Sequence, residues 1–495
     1  MIYTDFIAAI DLGTSHITGI VGKREANGAL TIIAYETKDS AGCIRRGCIR
    51  NVNETESKVR DLITKLQQKM PGSRIGKVYV GIGGQSVRSI EHTVTRILEP
   101  NTAVTDELMD ELNKESETHR PEGLDVLQVL PPACFLDGRY EPNPVGTICT
   151  RVEAKYQQIV ARPSIRRSVT DSISKAVGVA GIIVSPLTLA DTILTDDEKD
   201  MGCALIDFGA GVTTLSVYKN GRLIGLCVIP LGGNLITKDL SNTLGIVEAD
   251  AEQNKCVFGR AIIDESDDSI ISINTIDRKE LRPIPLKEFN AIIAARQQEI
   301  VENVLARLKE ITGEKDASKL INVLRAGVVL AGNASNMNQL EEVISKSFKL
   351  RVHKVSSFRK NLVIKAVQVD INPDNTSIGL LFEGYKNYIN CSAQSKNLSQ
   401  EEIIQLHNLN KTPVKTTTTD AGKPIETINT NITLGEDDPT SVEIEIDEEE
   451  NNNKNVGSKV SSGNDSSKTD NNKTHHKKSL KDKIGTWGGR LFDDV

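Results

Sequence analysis

Apolar residues first gather into a run that ends in an acidic residue and a glycine. Phe6-Ile7-Ala8-Ala9-Ile10-Asp11-Leu12-Gly13-Thr14 continues into Ile17-Thr18-Gly19-Ile20-Val21, the pattern of two short strands joined by a tight turn. The same pattern returns in Cys203-Ala204-Leu205-Ile206-Asp207-Phe208-Gly209-Ala210-Gly211 and the following Val212-Thr213-Thr214-Leu215-Ser216-Val217. The two aspartates lie 196 residues apart, which predicts two related halves, each opening on such a hairpin. Strand-like runs at 78–82, 223–229 and 328–331 alternate with helical periodicity over 54–69 and 289–311, so the folded part is predicted to be a duplicated α/β architecture. Between 86 and 163 the chain carries strands of its own, a helical stretch at 106–120 and the turn Asn143-Pro144-Val145-Gly146, enough for a small inserted subdomain. The predicted organisation is a first subdomain at 1–85, continued by 164–202 and about 360–386, an insert at 86–163, and a second half at 203–386.

Beyond that point the apolar pattern stops. From Ile389 to Thr486 there is no Phe, Tyr or Trp, and such a segment cannot bury enough apolar area to offset its ordering entropy. Within it, residues 436–450 hold nine acidic and no basic residues, which favours an extended, self-repelling linker over 387–476. A short apolar run at 401–409 reads as a transient helix without assigned function. Periodicity resumes in the last residues, 477–495. Leu480, Ile484, Trp487 and Leu491 recur at helical spacing, with Phe492 beside them and Lys481, Lys483 and Arg490 on the flanks. This pattern predicts a helix lying in the interface of an anionic membrane, with the single tryptophan at headgroup depth. The alternative is a stripe that docks on the chain's own core. Gly485, Gly488 and Gly489 lower helix propensity, so the helix is expected to form on lipid and to bind weakly unless many copies act together.

Charge narrows the choice of partners. The 495 residues carry a net charge of −7, which argues against a nucleic-acid partner for the surface as a whole. Eight cysteines are scattered without C-x-x-C spacing, so neither a zinc site nor a disulfide framework is predicted and a reducing cytosol fits best. The start of the chain reads as a strand rather than a leader peptide, and no run approaches the roughly 20 apolar residues of a membrane span.

The two hairpin turns carry the candidate chemistry. A strand ending in Asp-x-Gly places glycine where a side chain would block a phosphate, so that backbone N–H groups can point at the anion. Gly13, Thr14 and Ser15 would serve the first loop, and Gly209, Gly211, Thr213 and Thr214 the second. Asp11 and Asp207 would orient Mg²⁺ through its waters. One such loop is common in unrelated hairpins; two, on repeated halves, make a phosphate clamp. A third element, Ala326-Gly327-Val328-Val329-Leu330-Ala331-Gly332-Asn333-Ala334-Ser335, is a buried strand and small-residue turn that lets backbone approach a base and ribose at Gly332 and Asn333.

This order of loops, followed by Ser377-Ile378-Gly379-Leu380-Leu381, resembles the actin, sugar-kinase and heat-shock-chaperone superfamily and, within it, the FtsA family of bacterial cell-division proteins. Asn143-Pro144-Val145-Gly146, and Pro230-Leu231-Gly232-Gly233-Asn234 with Thr237, Asp239, Glu252, Lys255 and Gly259, carry the finer likeness, which covers about residues 5–386 and resumes at the C-terminal helix. The resemblance implies a duplicated actin-like, ribonuclease H-like fold that binds ATP with Mg²⁺. Glu252 and Lys255 would then face adenine and ribose, and Gly232 and Gly233 the phosphates. It also implies polymers on the cytoplasmic face of the cell membrane at the division septum, contact of Arg296 and Glu299 with the C-terminal peptide of the tubulin-like protein FtsZ, and recruitment of later division proteins. Two positions depart from the family pattern. Asn333 replaces the second glycine of the adenosine loop, and Ser185 precedes Pro186 where hydrolytic relatives often carry Glu or Gln, so at most slow hydrolysis is expected. The competing reading is a small-molecule kinase or an exopolyphosphatase on the same fold, for which no catalytic aspartate stands out. A pilus-assembly actin homologue would share the clamp, but it would not be expected to end in this linker and helix.

Overall fold

The computed structural model describes residues 5–25, 29–40, 42–274, 281–355, 364–366, 374–386 and 389–393. The acidic run 436–450, the stretch 401–409 and the C-terminal helix predicted at 477–495 lie outside them.

The repeat read from the sequence reappears as repeated topology. In the first sheet the strands run in the order Gly178–Val184, Lys77–Ile82, Ile7–Leu12, His16–Arg24, Leu30–Asp39 and Ile364–Ala366. Ile7–Leu12 pairs antiparallel with His16–Arg24 and parallel with Lys77–Ile82. In the second sheet Cys203–Phe208 pairs antiparallel with Thr213–Lys219 and parallel with Gly327–Ala331, and Arg222–Ile229 and Val352–Lys354 lie outside these partners. Over five strands, order and direction are therefore the same in both halves, down to the hairpin register; beyond them the sheets differ, Ile364–Ala366 adding in parallel to the first and Arg88–Ile97 antiparallel to the second. Asp11 stands opposite Thr18 and Asp207 opposite Thr214.

Helices cover the sheets for reasons visible in the residues. Val52–Gln68 starts two residues before its predicted bound, because the Asn51 side chain accepts from Glu54 N–H at 3.1 Å and caps the first turn. Leu286–Thr312 presents Phe289, Ile293, Ile300, Val304 and Leu308 along one stripe and ends at Gly313, whose φ of 72° is the left-handed conformation that closes a helix. Its first turns pack into a core with Ile236 and Leu240, and its later turns into the core of the second sheet. Asn375–Lys386 buries Ile378, Leu380 and Leu381 against the first sheet.

The segment between the halves has its own core of Val94, Val104, Leu112, Val152 and Tyr156. Its helix Asp106–Thr118 stops short of the predicted 120, because Arg120 precedes Pro121 and His119 is already extended. This segment extends the second sheet: Arg88 pairs with Cys227, Leu226 N–H donates to Ser89 Oγ at 2.9 Å, and Arg222 Nη1 donates to Pro131 O at 3.2 Å.

The predicted start of the linker needs correction. Residues 389–393 belong to the folded unit: Cys391 is fully buried, its N–H donates to Phe6 O at 3.0 Å, and its carbonyl accepts from Gly76 N–H at 2.8 Å. The segment satisfies backbone groups just before the adjacent inner strands Ile7–Leu12 and Lys77–Ile82, a role that composition alone does not reveal. No helix among the described residues is long and apolar enough to cross a membrane.

Candidate functional site

The two hairpin strands deliver Asp11 and Asp207 to matching ends of the two sheets. Both carboxyls are pushed up, Asp11 to about 7 and Asp207 to about 6. Desolvation is the larger cause for each, followed by the charge of Asp374; for Asp11 the charge of Asp207 adds to it. Ser185 Oγ donates to Asp11 Oδ1 at 2.9 Å and opposes the shift. Among the described residues, no basic side chain lowers either group. In both halves, a glycine on the neighbouring parallel strand or just past its end makes room for the aspartate. A Cβ on Gly81 would stand 2.9 Å from Asp11 Oδ1, and one on Gly332 would stand 2.3 Å from Asp207 Oδ1. Gly332 also has a φ of 81°, which a side chain would strain.

The loops meet. A Cβ on Gly211 would lie 2.5 Å from Thr14 Oγ1, so the second loop packs directly on the first. Thr14 is anchored from outside the loop, its hydroxyl accepting from Gly47 N–H at 2.9 Å and its carbonyl from Ser40 Oγ. Gly13 permits the turn, since a Cβ there would sit 2.6 Å from His16 O. Gly209 closes the second turn through Gly209 N–H to Val212 O at 3.0 Å. The Ser15 hydroxyl lies 2.7 Å from His16 Nδ1. Thr213, expected to offer a donor to the cleft, is fully buried and donates to Leu231 O at 2.8 Å, bracing the Gly232 turn instead; Thr214 is buried as well.

Gly232 and Gly233 pack on the second loop, with Gly233 N–H to Gly209 O at 3.0 Å. There the predicted base and ribose residues converge. Lys255 is buried, and its Nζ lies 2.6 Å from Glu252 Oε2, 3.0 Å from Thr237 Oγ1 and 3.3 Å from Gly233 O. Thr237 donates to the same Glu252 oxygen. Burial raises the Glu252 carboxyl, but the bonds from Lys255 and Thr237 outweigh it and hold the group below its ordinary range. A Cβ on Gly233 would stand 3.2 Å from Ala334 Cβ, which brings in the turn that carries exposed Asn333.

Arg296 and Glu299 occupy a different place. Arg296 grips Asp239 on the helix Gly233–Leu244 through Nε at 2.5 Å and Nη2 at 3.2 Å, and it also pairs with Glu299. Its side chain is only 15% exposed, so this charge ties two helices together.

Sequence reasoning missed Asp374. Its carboxylate caps the helix Asn375–Lys386, accepting from Ser377 N–H and Ser377 Oγ at 2.8 Å each, while its charge reaches both cleft aspartates. The signal available was an Asp three residues before a Ser at a helix start, which predicts a cap and no more. Among the described residues, no group of three or more His, Cys, Asp or Glu is arranged to hold a metal ion directly.

A family model described as cell division protein FtsA matches residues 204–369. The cell division protein FtsA of Porphyromonas gingivalis is 31% identical over 343 residues, covering 68% of this chain and 70% of that one. The chain belongs to the FtsA family. FtsA of Neisseria meningitidis is 30% identical over 70% of this chain and 83% of its own, and FtsA of Bacillus subtilis is 30% identical over 67% and 74%. Among solved structures, the PilM-PilN type IV pilus biogenesis complex superposes with a TM-score of 0.52 at 13% identity, covering 76% of this chain and 98% of that chain. That likeness supports the actin-like fold of this FtsA-family chain.

Proposed function

We propose that this FtsA-family chain binds ATP with Mg²⁺ between its two halves and assembles on the cytoplasmic face of the membrane at the division septum. There it links FtsZ and later division proteins to the lipid. The observation that carries the nucleotide reading is the pair of equivalent aspartates on repeated hairpins whose loops touch at Thr14 and Gly211. Two enclosed carboxylates with raised proton affinity and no cation beside them are a donor set that suits a hydrated divalent ion. Such an ion would supply charge neutralisation for phosphate oxygens.

The chain's own residues divide the remaining work. Asp11 and Asp207 would hold the ion through its waters, the backbone of the turns at Gly13 and Gly211 would bind phosphate, and the Glu252–Lys255–Thr237 cluster would border the sugar and base. Ser185 holds Asp11 through its hydroxyl. A serine hydroxyl is too weak a base to activate water where a Glu or Gln would position it, so turnover is slow or absent. Titration calorimetry with magnesium-ATP tests this reading: Asp207→Asn is expected to lose at least about tenfold in affinity, and unchanged affinity sinks it.

Membrane attachment rests on the stripe Leu480, Ile484, Trp487 and Leu491. Vesicle co-sedimentation of the intact chain should exceed that of a chain ending before Lys477, and equal pelleting refutes the tether. For FtsZ, the proposed contact is the helix region around Arg296 and Glu299. Because Arg296 is bound to both Asp239 and Glu299, Glu299→Gln, which keeps an acceptor oxygen for Arg296, is the cleaner probe, with weaker FtsZ-peptide binding expected at a melting temperature lowered by no more than a few degrees.

A further inference from the structure

The small hairpin Ile44–Arg45 with Cys48–Ile49 packs against the helix Pro163–Ile173. Together with their flanks, these two elements carry Arg45, Arg46, Arg50, Arg162, Arg166 and Arg167, all exposed except half-buried Arg46. Arg166 lies 3.7 Å from Asp125 and donates to Val126 O at 3.4 Å. None of the other five has a carboxylate within ion-pair distance among the described residues. Asp125 and Asp171 line a cavity beside Arg166 and Arg167, and Glu54 and Glu56 lie on the helix Val52–Gln68, which follows Arg50 and packs against Pro163–Ile173.

The cationic side chains crowd one another. Burial first, and then Arg45 and Arg50, make Arg46 less willing to hold its proton. The strand Cys48–Ile49 touches the helix Pro163–Ile173, which Arg162 precedes, and Arg50 and Arg162 both pull down the Cys48 thiol against the larger effect of its burial. The backbone beneath is fixed by Arg50 N–H to Cys43 O at 2.8 Å, Gln85 N–H to Arg46 O at 3.1 Å and Arg162 N–H to Ser86 Oγ at 3.1 Å. Positive charge is thus concentrated on a rigid platform in a chain whose net charge is −7.

We propose that this arginine surface is a docking site for an acidic, extended peptide. Guanidinium groups pair with carboxylates in a planar, two-point geometry that a lysine cannot match. No large apolar side chain is exposed among residues 42–50 or 162–171, so the surface has nothing to insert into lipid. A suitable probe exists in the sequence itself, since residues 436–450 hold nine acidic and no basic residues.

The test uses a fluorescent synthetic peptide of residues 436–450, titrated into the full chain whose own nine acids in that run are replaced by their amides. The peptide should bind and weaken steeply with added salt. Arg45→Gln, Arg46→Gln and Arg50→Gln together, or Arg162→Gln with Arg167→Gln, should each weaken it about tenfold, and an all-amide peptide should not bind. Unchanged affinity in both variants, or equal binding of the amide peptide, overturns the proposal. Tighter arginine-dependent binding of phosphatidylglycerol vesicles or duplex DNA overturns it too, and assigns the surface to phosphate. If a variant fails to fold, the salt dependence and the amide peptide on the unaltered surface decide the matter.

Discussion

A carboxylate enclosed without a cation resists ionisation, and both cleft aspartates do so. Their ordinary value of 3.8 rises to about 7 at Asp11 and about 6 at Asp207. In the ligand-free chain the folded state therefore holds more protons than the unfolded state between those limits, and stability falls as pH rises from 3.8 to about 7. Asp11→Asn removes that cost and should stabilise the ligand-free chain at pH 8, by on the order of 4 kcal/mol, as read by thermal unfolding. If both aspartates hold the ion as proposed, magnesium-ATP affinity should move the other way, weakening as pH falls through about 7 and then about 6. Gly332→Ala is a second test. Its Cβ would collide with Asp207 Oδ1 at a φ of 81°, so a loss of about 2 kcal/mol or more is expected, together with loss of magnesium-ATP binding. Asp11, Asp207 and the loop glycines are legible in the sequence because the chemistry is written as a local pattern, and writing it twice removes the ambiguity. Asp374 and Gly81 are not, because their effect on the cleft is made by distant chain segments meeting in space. Thr213 shows the converse: a hydroxyl in the right motif can point inward.

At the scale of elements, periodicity finds the helices and misplaces their ends. Val52–Gln68 begins where Asn51 caps it, and Asp106–Thr118 ends where Arg120-Pro121 disfavours helix. Asn51→Ala should cost about 1 kcal/mol in denaturant unfolding. The long helix Leu286–Thr312 joins two cores through one stripe, so Val304→Ala at its fully buried position should destabilise the chain by roughly 1–3 kcal/mol and weaken both cores together. Residues 389–393 escape a compositional reading because their contribution is backbone pairing. Ending the chain after Lys386 removes the bonds of Cys391 to Phe6 and Gly76 and of Ala393 to Arg74. The melting temperature should drop relative to a chain ending after Ala393.

For the whole molecule, the decisive feature is that one strand order occurs twice. The inserted segment departs from that plan by joining the second sheet through the pair Arg88 and Cys227. Sequence reading detects the insert but not the sheet it extends, since a single-residue seam leaves no periodic trace. The equivalence of Asp11 and Asp207 reaches further. A protein of half this length, associating with an identical copy, would furnish both acids from a single codon, and neither could change without the other. With both halves in one chain, that constraint does not apply. Ser185 on Asp11, and the Lys255 cluster beside the second loop, are the marks of two sites now free to diverge.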